Sequence, residues 1–329
     1  MRIVIIGAGN VATHLAKALD ANHDVVQVYS HTIQNAETLA NVLKHAIATN
    51  DLSQIYPDAD LYIVSVKDDA VASVVDKVKV TSGIWVHTSG SVSIEVLKHK
   101  FQQCGVFYPL QTFSRDVEVN MNEVPFFIEA CNEDTENMIF SLAQELSKSV
   151  HKADSAQRSK LHVAAVFGCN FVNYLWSISS DILAEVGCDL DVLMPLIKVT
   201  TEKAASISPT EGQTGPARRG DVKIMEMHEK MLLPEQAKLY RTLSQCIMGK
   251  YKYRHELKFK ISNSAAEVLK QKLSLILGKD KNAFYEDGYI WFPIQSISNT
   301  HLIEKVFDIE VENSHSFLAN GVSASATAA

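Results

Sequence analysis

Six residues near the start of the chain, Gly7-Ala8-Gly9-Asn10-Val11-Ala12, constrain the fold more than any other feature. They follow the β-branched run Ile3-Val4-Ile5-Ile6 and lead into residues 11–20, where Val11, Leu15 and Leu19 share one helical face. Strand, glycine-rich turn and helix together form the context in which amides at a helix start receive a diphosphate. Gly7 permits the tight turn, and Gly9 lets the backbone approach the diphosphate. Ala12 replaces a third glycine and is still small enough for close helix–strand packing. We read the turn as dinucleotide-binding, with Gly7, Gly9, Asn10 and Val11 as contacts. The alternative is a turn of structural use only.

The pattern around it is α/β. Strand-like stretches at 25–29, 61–66, 84–87, 106–108 and 126–130 alternate with helical ones, among them 36–43 and 133–147, as in a doubly wound parallel sheet of Rossmann type covered on both faces. From 155 the pattern becomes helical, at 155–186, 190–206, 222–231 and 234–248, and beyond about 253 it turns strand-rich. The expected organisation is a dinucleotide-binding domain at 1–152, an all-α domain at 153–253 and a small β-rich appendage at 254–329. A length of 329 residues fits two domains and a small addition.

Composition narrows the function classes. A net charge of −7 offers no surface-wide attraction to nucleic acid or anionic lipid, so neither is expected as a partner. Five scattered cysteines without a C-x-x-C pair argue against a disulfide framework and against a metal site, and they fit a reducing cytoplasm. The apolar start is too short for a signal peptide's core. Residues 161–176, interrupted by Asn170 and Asn173, read as too short to span a bilayer.

The second strand bears on which nicotinamide dinucleotide binds. Its end, Tyr29-Ser30-His31-Thr32, lacks the carboxylate that would hold a ribose 2′-hydroxyl, and Ser30, His31 and Thr32 could donate to a 2′-phosphate. NADP is therefore favoured over NAD, although no arginine is present and the three residues could simply begin a solvated loop.

At this point the first 250 residues resemble a known group. The motifs are GAGNVA at 7–12, YSHT at 29–32, HTSG at 87–90, YPLQTFS at 108–114, KLHVAAVFGCNFVNYL at 160–175 and SPTEGQTGPARRGD at 208–221. They resemble Rossmann-like oxidoreductases that carry a helical C-terminal domain of unknown function, distant relatives of pyrroline-5-carboxylate reductase and of deazaflavin-dependent NADP reductases. The resemblance implies a nicotinamide-type fold and leaves the substrate open.

The residues can also be weighed individually. Ligands of an open α/β sheet bind beyond the carboxyl ends of its strands. Val66, His87, Ser89 and Gln111 all lie there: Val66 is expected at the cofactor, His87 and Ser89 as proton donors or orienters, and Gln111 at a small-molecule substrate. On the long helix, at about 100° per residue, His162 and Asn173 fall within about 20° of each other and Asn170 about 80° away. They form either a polar wall facing the site, with His162 and Asn170 catalytic and Asn173 on substrate, or a network between helices or between copies of a homodimer. Lys160 lies about 160° from His162, and His162 is preferred. Arg218 and Arg219 could clamp a substrate anion or brace the joint between domains. Asp221 is a candidate N-cap.

The tail resembles the C-terminal splicing region of an intein, carried by Tyr289-Ile290-Trp291-Phe292-Pro293 and by Val306-Phe307-Asp308-Ile309-Glu310 through His315, Asn320 and Gly321. Ala326 occupies the position of the cyclising asparagine, so splicing alone is not expected, and a separate N-terminal intein fragment would be the implied partner. The alternative is an ordinary β extension. For the whole chain the leading expectation is an NADP-dependent oxidoreductase of small carbonyl or imine compounds. A dinucleotide-binding sensor without turnover and the C-terminal half of a split splicing element are the competing ones.

Overall fold

The computed structural model describes residues 1–79 and 81–252, together with the strand segments at 259–260, 284–286, 289–291, 316–319 and 322–325. By contact the chain divides into two compact units, Met1–Ser177 and Ile178–Ala329.

The first unit is built on an eight-stranded sheet. Its strands are β1 (Arg2–Ile6), β2 (Asp24–Tyr29), β3 (Ile47–Thr49), β4 (Leu61–Val64), β5 (Ile84–His87), β6 (Cys104–Pro109), β7 (Phe126–Ala130) and β8 (Val150–Lys152), and they lie in the order β3-β2-β1-β4-β5-β6-β7-β8. The order reverses between β1 and β4, which makes the carboxyl ends of those two strands the switch-point crevice. Alternate residues of each central strand enter different clusters, as the pleat requires. Ile3, Ile5, Leu61, Ile63 and Val86 pack on the face covered by α1 (Asn10–Asp20), α2 (Ile33–Ala40) and, farther along, α5 (Glu133–Leu146). Val4, Ile6, Tyr62, Val64 and Trp85 pack on the face of α3 (Asp68–Lys77) and α4 (Glu95–Lys98). Burial on both faces explains the near-continuous apolar strands.

The sheet departs from the all-parallel expectation in one place: β7 pairs antiparallel with β6, and β8 then pairs parallel with β7. No α-helix lies between β6 and β7, so the chain doubles back, whereas α5 supplies the crossover between β7 and β8.

Helix α6 (Ser155–Ala165) begins at a capping box. Asp154 accepts from the Gln157 amide at 2.8 Å, and Gln157 accepts from the Asp154 amide at 2.9 Å. A π turn at Val166–Asn170 joins it to α7 (Phe171–Ala184). The run Ser155–Ala184 is 30 residues long and contains an 18-residue window with a mean hydropathy of 1.3, so by length and composition alone it could cross a membrane, whereas the stretch 161–176 read from sequence is shorter. Near its start, however, the run carries a fully buried arginine, Arg158, ion-paired at 2.5 Å to Glu129 of β7. Val163, Phe167, Phe171 and Tyr174 are exposed along it.

The second unit contains α8 (Met194–Ser206), α9 (Pro216–Arg219), α10 (Val222–Met231) and α11 (Pro234–Lys252). Past these, β9 (Phe259–Lys260), β10 (Phe284–Glu286) and β11 (Tyr289–Trp291) pair antiparallel in the order β10-β11-β9, and β12 (Ser316–Ala319) pairs antiparallel with β13 (Val322–Ser325). His315, Asn320, Gly321 and Ala326, on which the intein-like expectation rests, lie outside the described residues.

Candidate active site

The two glycines of the first turn are glycines for different reasons. Gly7 donates to the Tyr29 carbonyl at 2.8 Å with φ at +130°, and a Cβ there would sit 2.0 Å from the Ser65 carbonyl oxygen at the end of β4. The protein itself demands glycine at that position. Gly9, at the N-cap of α1, has φ −81° and ψ −173°, and a Cβ built on it would meet nothing within 4 Å. Neither backbone nor packing requires glycine, so the space it leaves is a cradle fitting a group that must approach the main chain closely. The first turn of α1 carries no acidic residue, and its amides and dipole favour an anion. Ala12 is fully buried against the sheet. A dinucleotide's diphosphate fits this arrangement, held by the amides that follow Gly9. The Asn10 side chain points elsewhere, donating to the Phe113 carbonyl at 2.9 Å, so Asn10 and Val11 face the cradle with backbone only.

At the tip of β2, Ser30 is half-buried and His31 and Thr32 are exposed. None of their side chains makes a hydrogen bond among the described residues. Val66 follows β4, half-buried against the α3 face of the sheet.

The carboxyl ends of β5 and β6 hold a denser network. His87 ends β5 without any exposed surface. Its Nδ1 accepts from the Ser89 amide at 3.2 Å, and among the described residues no acceptor meets Nε2 with hydrogen-bonding geometry. Burial, helped by the Arg158 cation, holds the imidazole down to about 4, with the nearby Ser93 carbonyl and Asp68 partly offsetting this. The ring is therefore neutral near pH 7 and presents no surface to a ligand. Ser89 is also turned inward: its Oγ accepts from the Ser91 and Val92 amides at 3.1 and 3.0 Å, which closes the loop after β5. Ser91 in turn donates to Asp68 at the start of α3.

Over this loop lies a pair formed by two elements distant in sequence. The Tyr108 hydroxyl, near the end of β6, and His162 Nδ1, on α6, are 3.0 Å apart. Burial pushes the Tyr108 phenol up to about 12, with Arg158 opposing, so it carries its proton throughout the ordinary pH range. A Cβ on Gly90 would fall 2.7 Å from the Tyr108 ring and 2.8 Å from His162 Nδ1, so glycine at 90 makes room for the pair. One turn before His162, the buried Arg158 donates to the carbonyls of Ser89 at 3.1 Å and Val92 at 2.6 Å and to Glu129 at 2.5 Å. Ser155 Oγ donates to the same Glu129 oxygen at 2.8 Å. Arg158 thus ties the loop, β7 and α6 together, and so fixes the helix that presents His162.

Other expected residues lie away from this network. Asn170 and Asn173 are exposed, and the π turn between them and His162 adds a residue to the repeat, so phases counted at about 100° per residue do not carry across it. Gln111 is exposed and accepts from the Thr112 amide at 2.8 Å. In the second unit, the Arg218 guanidinium lies 4.5 Å from the Tyr251 ring centroid, and Arg219 pairs with Asp221 at 2.8 Å. Asp221 stands at the N-cap of α10, but no side-chain cap bond forms. Sequence reasoning missed Tyr108 and Arg158 as site residues. The Asp154/Gln157 capping box fixes the start of α6, and the four-residue spacing from Arg158 to His162 then puts both on one face.

Two family profiles match the chain. One, described as "NADP oxidoreductase coenzyme F420-dependent", covers residues 2–86, and the other, a domain of unknown function (DUF2520), covers 124–247. A crystal structure of a "putative NADP oxidoreductase" from Bacteroides fragilis is 41% identical with a TM-score of 0.71, over 75% of this chain and 97% of that one. The chain belongs to this Rossmann oxidoreductase family. The fold recurs in a protein of Thermotoga maritima, at 21% identity and a TM-score of 0.57 over 76% of this chain and 98% of that one. The fold alone is shared with an imine reductase from Streptomyces aurantiacus, 13% identical with a TM-score of 0.54 over 77% and 94% of the two chains. No curated protein matches this one.

Proposed function

We propose that this family member is an NADP-dependent oxidoreductase that reduces a small carbonyl or imine compound. The observation that carries the reading is the open cradle at Gly9, at the sheet's switch point, in a unit that also holds the Tyr108–His162 pair. The description of the Bacteroides fragilis relative supports the same class. The tip of β2, which carries no carboxylate, favours NADP over NAD, with Ser30, His31 and Thr32 as donors to a 2′-phosphate. The F420 profile leaves a deazaflavin as the second electron carrier to test.

When bound, the nicotinamide supplies the hydride. What remains for the chain is binding, orientation and one proton. The amides after Gly9 hold the diphosphate, and the neutral Tyr108 hydroxyl is the proton donor. His162, whose Nδ1 lies 3.0 Å from the phenol oxygen, passes a proton to it and so replaces the one that Tyr108 delivers. His87 and Ser89 serve by holding the loop beneath the pair. The same reading takes the protein as a soluble homodimer, with a second copy on the exposed face of α6 and α7.

The test is consumption of NADPH by the full chain against a panel of imino and keto acids, alongside NADH and a reduced deazaflavin. The expected result is substrate-dependent NADPH oxidation that His162→Asn slows about a hundredfold. Saturable binding without consumption of any carrier would overturn the enzymatic reading in favour of a dinucleotide-binding module.

A further inference from the structure

Residues 113–115, which precede β7 in sequence, cross the start of α1 and are fastened there by four contacts. The Phe113 ring is buried in the cluster on the α1 face, with its centroid 5.1 Å from that of His14. Asn10 Nδ2 donates to the Phe113 carbonyl, His14 Nε2 meets the Ser114 carbonyl, and Arg115 Nη2 donates to the Ala8 carbonyl, each at 2.9 Å. Two of these are ordinary fastenings of a loop to a helix. The third does something else: it brings a guanidinium from 107 residues away to the middle of the glycine-rich turn.

The charge has no evident use within the protein. Arg115 is exposed, and among the described residues no carboxylate pairs with it. A loop needs no cation to bond a carbonyl, since Asn10 and His14 fasten the same segment without one. Holding one donor on Ala8 leaves the rest of the fork free. That fork stands beside a turn whose amides already favour an anion and whose Gly9 leaves room for one.

Resting on the reading that this turn holds a nicotinamide dinucleotide, we infer that Arg115 is a diphosphate-binding residue. Its free donors meet the anionic bridge of the coenzyme together with the α1 amides, and Asn10, His14 and Phe113 hold the segment that carries it. The target is the bridge, common to NADPH and NADH, and not the 2′-phosphate that separates them.

The experiment is calorimetric titration of the full chain with NADPH and with NADH, at low and at moderate salt. Arg115→Gln is the informative variant, because it removes the charge and keeps a polar side chain at an exposed position. Both coenzymes should bind about tenfold more weakly, with a flatter salt dependence and an unchanged thermal midpoint. Arg115→Lys should recover part of the affinity. Affinities within about twofold of the unsubstituted protein would overturn the inference. So would a loss confined to NADPH, which assigns the residue to the 2′-phosphate, or equal losses in the two variants with a lowered midpoint, which makes it a structural fastening. An unsubstituted protein that binds neither coenzyme fails the cofactor reading itself, a result distinct from all three.

Discussion

Protonating His87 in the folded protein would put a charge where no solvent reaches, close to the cation of Arg158. The native imidazole is held to about 4 against 6.5 when unfolded, so between these values the unfolded chain binds more protons than the native one. Stability from this group is therefore complete above about pH 6.5 and is lost as the pH falls toward 4, by about 3 kcal/mol in all. Urea unfolding between pH 4 and 7 should show a steeper loss in the natural protein than in His87→Gln. Parallel curves for the two would contradict the buried, neutral assignment. At this scale sequence alone distinguishes poorly between uses: it marks His87, Ser89 and His162 equally as polar groups at promising positions. Only burial and partners separate a histidine locked under a loop from one half-exposed on a tyrosine.

Arg158 works between elements, joining α6 to β7 and to both carbonyls that bound the loop after β5. Arg158→Met keeps the stem and removes the fork, which leaves Glu129 without its counter-charge and two carbonyls without donors. The expected cost is about 3 kcal/mol, near the low end for breaking a buried ion pair, because Glu129 retains 18% of its side-chain surface. Urea denaturation measures it, and a cost below about 1 kcal/mol would mean that the brace carries no weight. The main strands and the helix at 222–231 are legible in sequence, since long apolar runs and amphipathic stretches leave few alternatives. The strands β3 and β8 are not: three residues each at or next to the register's edge give too little pattern to read. The reversed sense of β7 is equally hidden, because it follows from what does not pack between β6 and β7. Helix 36–43 as read extends past the observed α2, whose last residue is Ala40.

Across the whole molecule, the cradle, the Tyr108–His162 pair and the Arg115 strap all belong to the unit Met1–Ser177. The glycine turn could be read because its parts are contiguous. The pair spans 54 residues and the strap 107, and no periodicity links positions so far apart. The central claim is that glycine stands at 9 for a ligand's sake and at 7 for the fold's. Isothermal titration of Gly9→Asp with NADPH tests it most directly, paired with its thermal midpoint. The backbone at 9 accepts a side chain and aspartate is a good N-cap, so the midpoint should be unchanged or slightly higher while coenzyme binding disappears through bulk and charge. A folded Gly9→Asp protein that binds NADPH as tightly as the unsubstituted one would contradict the account.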